Sequence, residues 1–186
     1  MAAALALAAL ALAALASTHA TAAGPLRFRV QPEASEILFR ATSRLMNAEG
    51  RFARFSGDVV VDPAALGGAR ILLTIEATSL DTGIAMRDNH LRSADFFDVE
   101  RFPTIDFQSV RVESAGRRAT VLGNLTLRGV TREIEVPIEV QITSAALVAS
   151  GEFVLNRGEY GMTYNSLLNP IGNEVRVAFT FRARVP

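Results

Sequence analysis

The sequence predicts an all-β protein, a sandwich or barrel of about eight to ten antiparallel strands interrupted by one short helix. Over residues 133–142 and 174–185, apolar side chains alternate with polar or small ones. A period of two is typical of strands that bury one face and leave the other in water. Turn-forming pairs such as Asp62-Pro63 and Gly67-Gly68 separate these apolar segments.

Seven further segments show the same alternation more weakly. They cover residues 26–30, 37–41, 55–61, 71–77, 105–107, 121–127 and 147–155. An antiparallel sheet removes its exposed edges most completely by closing on itself, but the alternation alone leaves open whether this sheet closes.

Residues 84–97 break the pattern and predict the helix. Asp81 and Thr82 are candidate caps for its start, and Met86, His90 and Leu91 share one helical face. Ser93 is a candidate cap for a second short turn that ends near residue 97. The residue before Pro103 is expected to be extended and to lead into the next strand.

The first 23 residues contain no Asp, Glu, Lys or Arg and are almost entirely Ala and Leu, ending in Ala20-Thr21-Ala22-Ala23. This pattern predicts a cleaved signal peptide over residues 1–23 and one exported domain over residues 24–186. A retained membrane anchor is the alternative, since about 20 apolar residues can span a bilayer.

The composition excludes several kinds of chemistry. The chain has no cysteine, which excludes thiol catalysis, and its 19 basic residues, all arginine, balance 19 acidic ones. Neutrality predicts no nucleic-acid partner. His90 is the only histidine outside residues 1–23, so the sequence predicts no metal site, no cofactor and no enzyme; a lipid hydrolase that uses His90 is the less favoured alternative.

Six short motifs, none of them specific alone, together indicate a family relationship because they occur in a fixed order. The set comprises Ser79–Gly83 (SLDTG), 87–91 (RDNHL), 95–98 (DFFD), 103–107 (PTIDF), 123–131 (GNLTLRGVT) and 156–162 (NRGEYGM). Together they resemble the YceI-like, polyisoprenoid-binding family over nearly all of residues 26–185. At residues 159–160 the family usually has Asp-Phe, whereas this chain has Glu-Tyr, which adds a hydroxyl group.

The resemblance implies an extended, lipocalin-like antiparallel barrel of about eight strands that holds an isoprenoid or other long-chain lipid. It implies a periplasmic binding or carrier protein. From the residues alone, a filled core and a partner-binding role stay open, because inward glycines also mark bulges and barrel corners. Small inward residues such as Ala41, Gly57, Gly123, Ala149 and Gly151 instead favour an open lumen.

The residues expected to line the lumen share the inward parity of the predicted strands. They are Phe39, Phe55, Val59, Ile71, Leu73, Ile75, Phe107, Val121, Leu125, Phe153 and Phe179. A one-residue slip in register would exchange the set for any one strand.

Three residues are expected at the mouth, where they would face a polar head group: Arg87, His90 and Arg92. A guanidinium can bind two phosphate oxygens at once. For His90 a purely structural hydrogen bond is the favoured alternative. Leu167 and Leu168 are expected to be exposed in a predicted loop, as a lid or, by preference, merely as packed apolar residues. A transient membrane contact is a further expectation, and the oligomeric state stays open.

Overall fold

A computed structural model describes residues 24–186 of the chain. The predicted signal peptide therefore lies outside the described residues. The described part forms eleven strand segments and one α-helix. The strands are β1 (Leu26–Val30), β2 (Glu36–Ser43), β3 (Ala48–Phe52), β4 (Phe55–Asp62), β5 (Ala65–Glu76), β6 (Leu80–Asp81), β7 (Thr104–Ala115), β8 (Arg118–Leu127), β9 (Val130–Ile142), β10 (Ala146–Asn156) and β11 (Ile171–Arg184); the helix α1 is Ala85–Arg92.

The sheet closes into an antiparallel barrel. Its hydrogen-bonded order is β1-β4-β5-β7-β8-β9-β10-β11, and β11 pairs back to β1 through Val30 and Ala183. The ring therefore has eight strands. The predicted fold class, an extended lipocalin-like barrel with one short helical insertion, is confirmed.

The three remaining segments continue barrel strands past a break. Along its length β11 pairs first with β2 and then with β1, so β1 and β2 are two parts of one barrel strand. In the same way β3 continues into β4, and β5 continues into β6, with β3 pairing to β2 and β6. Short 3-10 turns at Pro32–Ala34 and Ala77–Ser79 make two of the breaks. Three of the eight barrel strands are thus divided. Their segments β2, β3 and β6 extend the barrel wall beyond the breaks.

The outer face is polar because charged residues of neighbouring strands stand opposite one another. Arg40 Nε lies 3.2 Å from Glu49 Oε1, and Arg118 Nε lies 3.6 Å from Glu139 Oε1. Such exposed pairs contribute little to stability. The inner face carries the apolar half of the alternation, which holds the sheet closed.

The helix begins later than predicted. Its N-cap is Ile84, without a side-chain cap, because the backbone reverses at Gly83 with φ of 75°. The predicted capping by Asp81 and Thr82 is wrong. Asp81 Oδ1 accepts from Gly83 N at 2.9 Å, and the buried Asp88 carboxylate accepts the Thr82 N–H at 2.9 Å. These bonds tie α1 to the end of β6.

No helix among residues 24–186 has the length and apolar character that a membrane span requires.

Candidate ligand-binding site

The barrel encloses a deep chamber of about 150 Å³ whose walls are entirely apolar. Leu66, Ile142 and Leu147 line it beside the hairpins that join β4 to β5 and β9 to β10. Its remaining walls are Val, Ile, Leu, Ala and Phe side chains from the barrel strands. No hydrogen bond to a ligand can be made by these side chains.

A larger outer chamber of about 740 Å³ lies at the opposite end, under α1 and the loop 162–170. Its lining is also mainly apolar, but it includes the polar side chains Ser43, Arg87, His90, Arg157, Tyr164, Ser166 and Asn169. The polarity of the lumen therefore changes along its axis, from purely apolar to mixed.

Six residues line both chambers and form a waist between them: Ile37, Ile75, Ile105, Leu125, Phe153 and Val177. Since the same side chains face both spaces, the two chambers adjoin along the barrel axis, with the waist between them.

Most of the residues expected in the wall face this lumen. Val59, Ile71, Leu73, Phe107, Val121 and Phe179 line the deep chamber, Phe39 lines the outer one, and Ile75, Leu125 and Phe153 belong to the waist. Phe55 is buried but lines neither chamber; its ring packs against Phe181, with centroids 5.8 Å apart. Whether any of them binds a ligand stays a prediction.

Two inward glycines do not leave the empty space that the sequence suggested. A Cβ on Gly123 would lie 2.3 Å from Cζ of Phe107, and one on Gly151 would lie 2.8 Å from Cζ of Phe179. The phenylalanine rings occupy the places where those side chains would stand. Each ring lies over a glycine of the adjacent strand and covers the sheet there.

An aromatic cluster holds α1 over the outer chamber. His90 packs edge-on against Phe96 and Tyr164, with ring centroids 5.0 and 4.8 Å away, and Phe52 packs against Phe97 at 5.8 Å. Tilted and edge-on pairs of this kind add to the apolar burial.

The structure separates the three residues expected at the mouth. Arg87 and His90 line the outer chamber, whereas Arg92 does not. Arg92 donates to the carbonyl oxygens of Thr78 and Leu80, at 3.1 and 2.5 Å, and so fastens α1 to β6. His90 Nε2 lies 2.8 Å from Asp95 Oδ2, and His90 also lines the outer chamber. His90 therefore makes a structural hydrogen bond and borders the space for a ligand.

Arg157, which the sequence placed in a turn within reach of the mouth, is a functional candidate beyond the three residues expected there. It is only 3% exposed and lines the outer chamber. Its guanidinium donates to four main-chain carbonyl oxygens, those of Gly172, Met162, Tyr164 and Ile171, at 2.9, 2.6, 2.8 and 3.1 Å. Burial lowers the pKa of Arg157, yet the group stays cationic, since arginine does not lose its proton in proteins. It places a positive charge in the wall and fixes the loop that closes the chamber.

The Tyr160 hydroxyl, which distinguishes this chain from the usual family pattern, is buried without a hydrogen-bond partner among residues 24–186. Burial, and to a lesser extent the charge of Glu159, raises the pKa of Tyr160 above its ordinary 10.0. The unfolded tyrosine ionises near pH 10.0, whereas the folded one ionises at a higher pH. This side chain therefore lowers the stability of the fold as the pH rises above about 10.0.

We expect Tyr160→Phe to leave the free energy of unfolding at neutral pH unchanged or to raise it by up to about 1 kcal/mol, because a buried unpaired hydroxyl is lost. The variant should also lose less stability than the parent above pH 10.0. Urea unfolding across this pH range measures both effects. Equal alkaline losses in the two proteins would contradict this account of Tyr160.

The described part of the chain contains no group of three or more His, Asp or Glu side chains placed to hold a metal ion. The candidate site is therefore a lumen with a polar open end.

Comparison with known proteins agrees with this geometry. The model of the YceI-like domain matches residues 28–183. The chain belongs to the YceI-like family. Curated relatives include UPF0312 proteins of Pseudomonas aeruginosa, 41% identical over 87 residues, and of Vibrio cholerae, 38% identical over 92 residues. These alignments cover 47% and 49% of this chain, and the chain spans about half the length of these relatives, 46% and 49%.

Solved structures of YceI-like and related proteins share the fold. The crystal structure of Burkholderia cenocepacia BcnA superposes with a TM-score of 0.77 at 25% identity, covering 82% of this chain and 98% of that one. A polyisoprenoid binding domain from Saccharophagus degradans superposes with a TM-score of 0.69 at 18% identity, covering 87% and 99%. The YceI protein of Campylobacter jejuni gives 0.67 at 23% identity, covering 76% and 86%.

Proposed function

We propose that this YceI-like protein binds the tail of a long-chain amphipathic lipid, with a polyisoprenoid as the first candidate, inside the barrel. The observation that carries the proposal is the pair of adjoining chambers, apolar at the deep end and polar only at the open end. Ligand sites of this kind combine a large apolar wall with a few polar groups that fix orientation. The fold shared with the polyisoprenoid binding domain of Saccharophagus degradans supports the choice of ligand class.

The volumes suit such a ligand. A dry apolar cavity of about 150 Å³ holds one benzene-sized group, so the deep chamber of about 150 Å³ fits one terminal isoprene unit. The outer chamber of about 740 Å³ has roughly five times that space. Burial of each methylene group contributes about 0.8 kcal/mol, so a few units would bind strongly without any specific hydrogen bond.

The polar lining favours a head group that accepts hydrogen bonds or carries negative charge. The charged side chains facing the outer chamber are Arg87 and Arg157, joined by His90, and no carboxylate group lines it within residues 24–186. Arg87 donates through Nε and Nη2 to Thr82, at 2.9 and 3.0 Å, while its Nη1 makes only a 3.5 Å contact with Asn47 O. The Nη1 group of Arg87 therefore retains N–H donors for a phosphate or a carbonyl oxygen.

The proposal extends to location and role. Residues 1–23 support export, and the domain of residues 24–186 would then sequester or carry its lipid in the periplasm. A lumen that shields the tail and places two guanidinium groups at the open end supports binding rather than catalysis. The protein would protect its ligand from water without transforming it.

Native mass spectrometry of the freshly purified protein tests this function. We expect a lipid adduct that organic solvent releases, and the extract should contain an isoprenoid or a comparable long-chain amphiphile. A protein that carries no adduct, and that takes up none when incubated with polyprenyl phosphate, would instead support the filled or partner-binding barrel.

A further inference from the structure

Three segments of the chain meet around the mouth of the outer chamber and expose large apolar side chains. They are residues 42–48, 83–87 and 161–173. The exposed side chains are Leu45 (73%), Met46 (63%), Ile84 (45%), Met86 (84%), Leu167 (98%) and Leu168 (84%), which we call the apolar rim. The preferred expectation that Leu167 and Leu168 are packed is therefore wrong.

Direct contacts place the three segments side by side. Arg44 N donates to Pro170 O at 3.1 Å, and Leu45 N donates to Asn169 Oδ1 at 2.9 Å. Arg87 Nη1 reaches Asn47 O at 3.5 Å. The rim is thus one continuous feature at the open end of the barrel.

The rim is also continuous with the lumen. Met46, Ile84 and Met86 line the outer chamber although much of each side chain is exposed. Ser166 and Asn169, which flank the two exposed leucines, line it as well. A hydrocarbon tail could pass from the rim into the chamber along apolar side chains, without crossing water.

The charges of the rim segments distinguish them from the rest of the surface. None of the 19 acidic residues lies in 42–48, 83–87 or 161–173, whereas Arg44 and Arg87 do. Phospholipid surfaces that carry negative charge attract arginine and repel carboxylates. Exposed apolar side chains beside basic ones are the pattern by which proteins insert shallowly into the surface of a bilayer.

We propose that the apolar rim docks the protein on an anionic phospholipid bilayer, with Leu167 and Leu168 inserted, so that the mouth of the lumen opens towards the acyl chains. This inference rests on the proposed lipid ligand, since it supplies the route by which that ligand enters and leaves. A second copy of the chain or a protein partner on the same surface is the competing occupant.

Cosedimentation with vesicles of equal parts phosphatidylethanolamine and phosphatidylglycerol tests the proposal. We expect the parent protein to bind and the double variant Leu167→Asp/Leu168→Asp to bind at least about tenfold more weakly. The matched control is Val110→Asp/Val154→Asp, which places the same charges on exposed valines of β7 and β10, outside the three rim segments, and should bind like the parent. Residues 1–23 are treated identically in all three proteins, so a difference in binding between them reports the substituted side chains.

Several outcomes would overturn the docking surface. One is a parent protein that does not bind the vesicles, and another is an equal loss of vesicle binding in both double variants. A third is a parent protein that forms a dimer, when the leucine variant is monomeric but still binds vesicles as the parent does. The lipid content of each preparation, read by native mass spectrometry, keeps this test apart from that of the proposed function. A protein that carries lipid but does not bind vesicles would contradict membrane docking by the apolar rim and leave the proposed lipid ligand standing.

Discussion

Replacement of Val177 by tryptophan is expected to abolish the tight binding of a long lipid tail and to leave the barrel folded. Val177 belongs to the waist, where it pairs with Phe39 on one side and with Phe153 on the other. A larger side chain there separates the two chambers. It can extend into the existing space, so the loss of stability should stay within the range of about 1–3 kcal/mol that added core volume causes.

The size of the expected effect follows from the tail that is excluded. One isoprene unit has five carbons, and at about 0.8 kcal/mol for each carbon group its removal from the deep chamber costs about 3–4 kcal/mol. That loss corresponds to a Kd increase of roughly a hundredfold or more. Calorimetric titration with polyprenyl phosphate measures it.

The neighbouring residue provides a matched control. Ala178 follows Val177 in β11, so its side chain points to the opposite face of the sheet, where it borders two surface grooves and lines neither chamber. Ala178→Trp should therefore bind lipid as the parent does. Equal affinity in Val177→Trp and the parent, or an equal loss in both tryptophan variants, would show that the tail does not pass the waist.

The second large effect is expected on stability. Arg157→Leu removes the donor of four hydrogen bonds to the carbonyl oxygens of residues 162, 164, 171 and 172. A buried acceptor left without a partner costs about 1–3 kcal/mol. Relief of the buried charge offsets part of this loss, and we expect a net decrease of about 3–5 kcal/mol in the free energy of unfolding.

Urea unfolding of two further variants makes this test specific. Arg157→Lys keeps the charge but offers three donors without the planar fork, so its stability should fall between those of the parent and Arg157→Leu. Arg182→Leu, on an exposed position of β11, should change stability by no more than about 0.5 kcal/mol. An Arg157→Leu protein as stable as Arg182→Leu would contradict the structural role of the buried guanidinium.

The sequence predicted the strands because the period-two pattern is a local signal that each strand carries independently, whereas closure of the sheet into a barrel was implied only by the family resemblance. The inward positions followed from the same alternation, which is why ten of the eleven expected wall residues, all but Phe55, border the lumen. Strands β3 and β6 were missed. The first is five residues long with Gly50 at its centre and the second has two residues, so neither shows a pattern of its own.

The open end of the site was less predictable because it depends on contacts between distant segments. Nothing in the turn Asn156-Arg157-Gly158 reveals that the carbonyl groups of residues 162–172 will surround the guanidinium. The space above Gly123 and Gly151 is filled by phenylalanines of adjacent strands, which a single strand cannot show. Leu167 and Leu168 are exposed, although apolar side chains in a loop are usually expected to pack.

A crystal structure of the protein purified from cells without detergent would test the central claim most directly. We predict continuous electron density for a lipid tail that runs from the outer chamber past Val177 and Phe153 into the deep chamber, with its polar end near Arg87. A lumen in which side chains have closed the waist, or in which ordered water fills the deep chamber, would contradict the account.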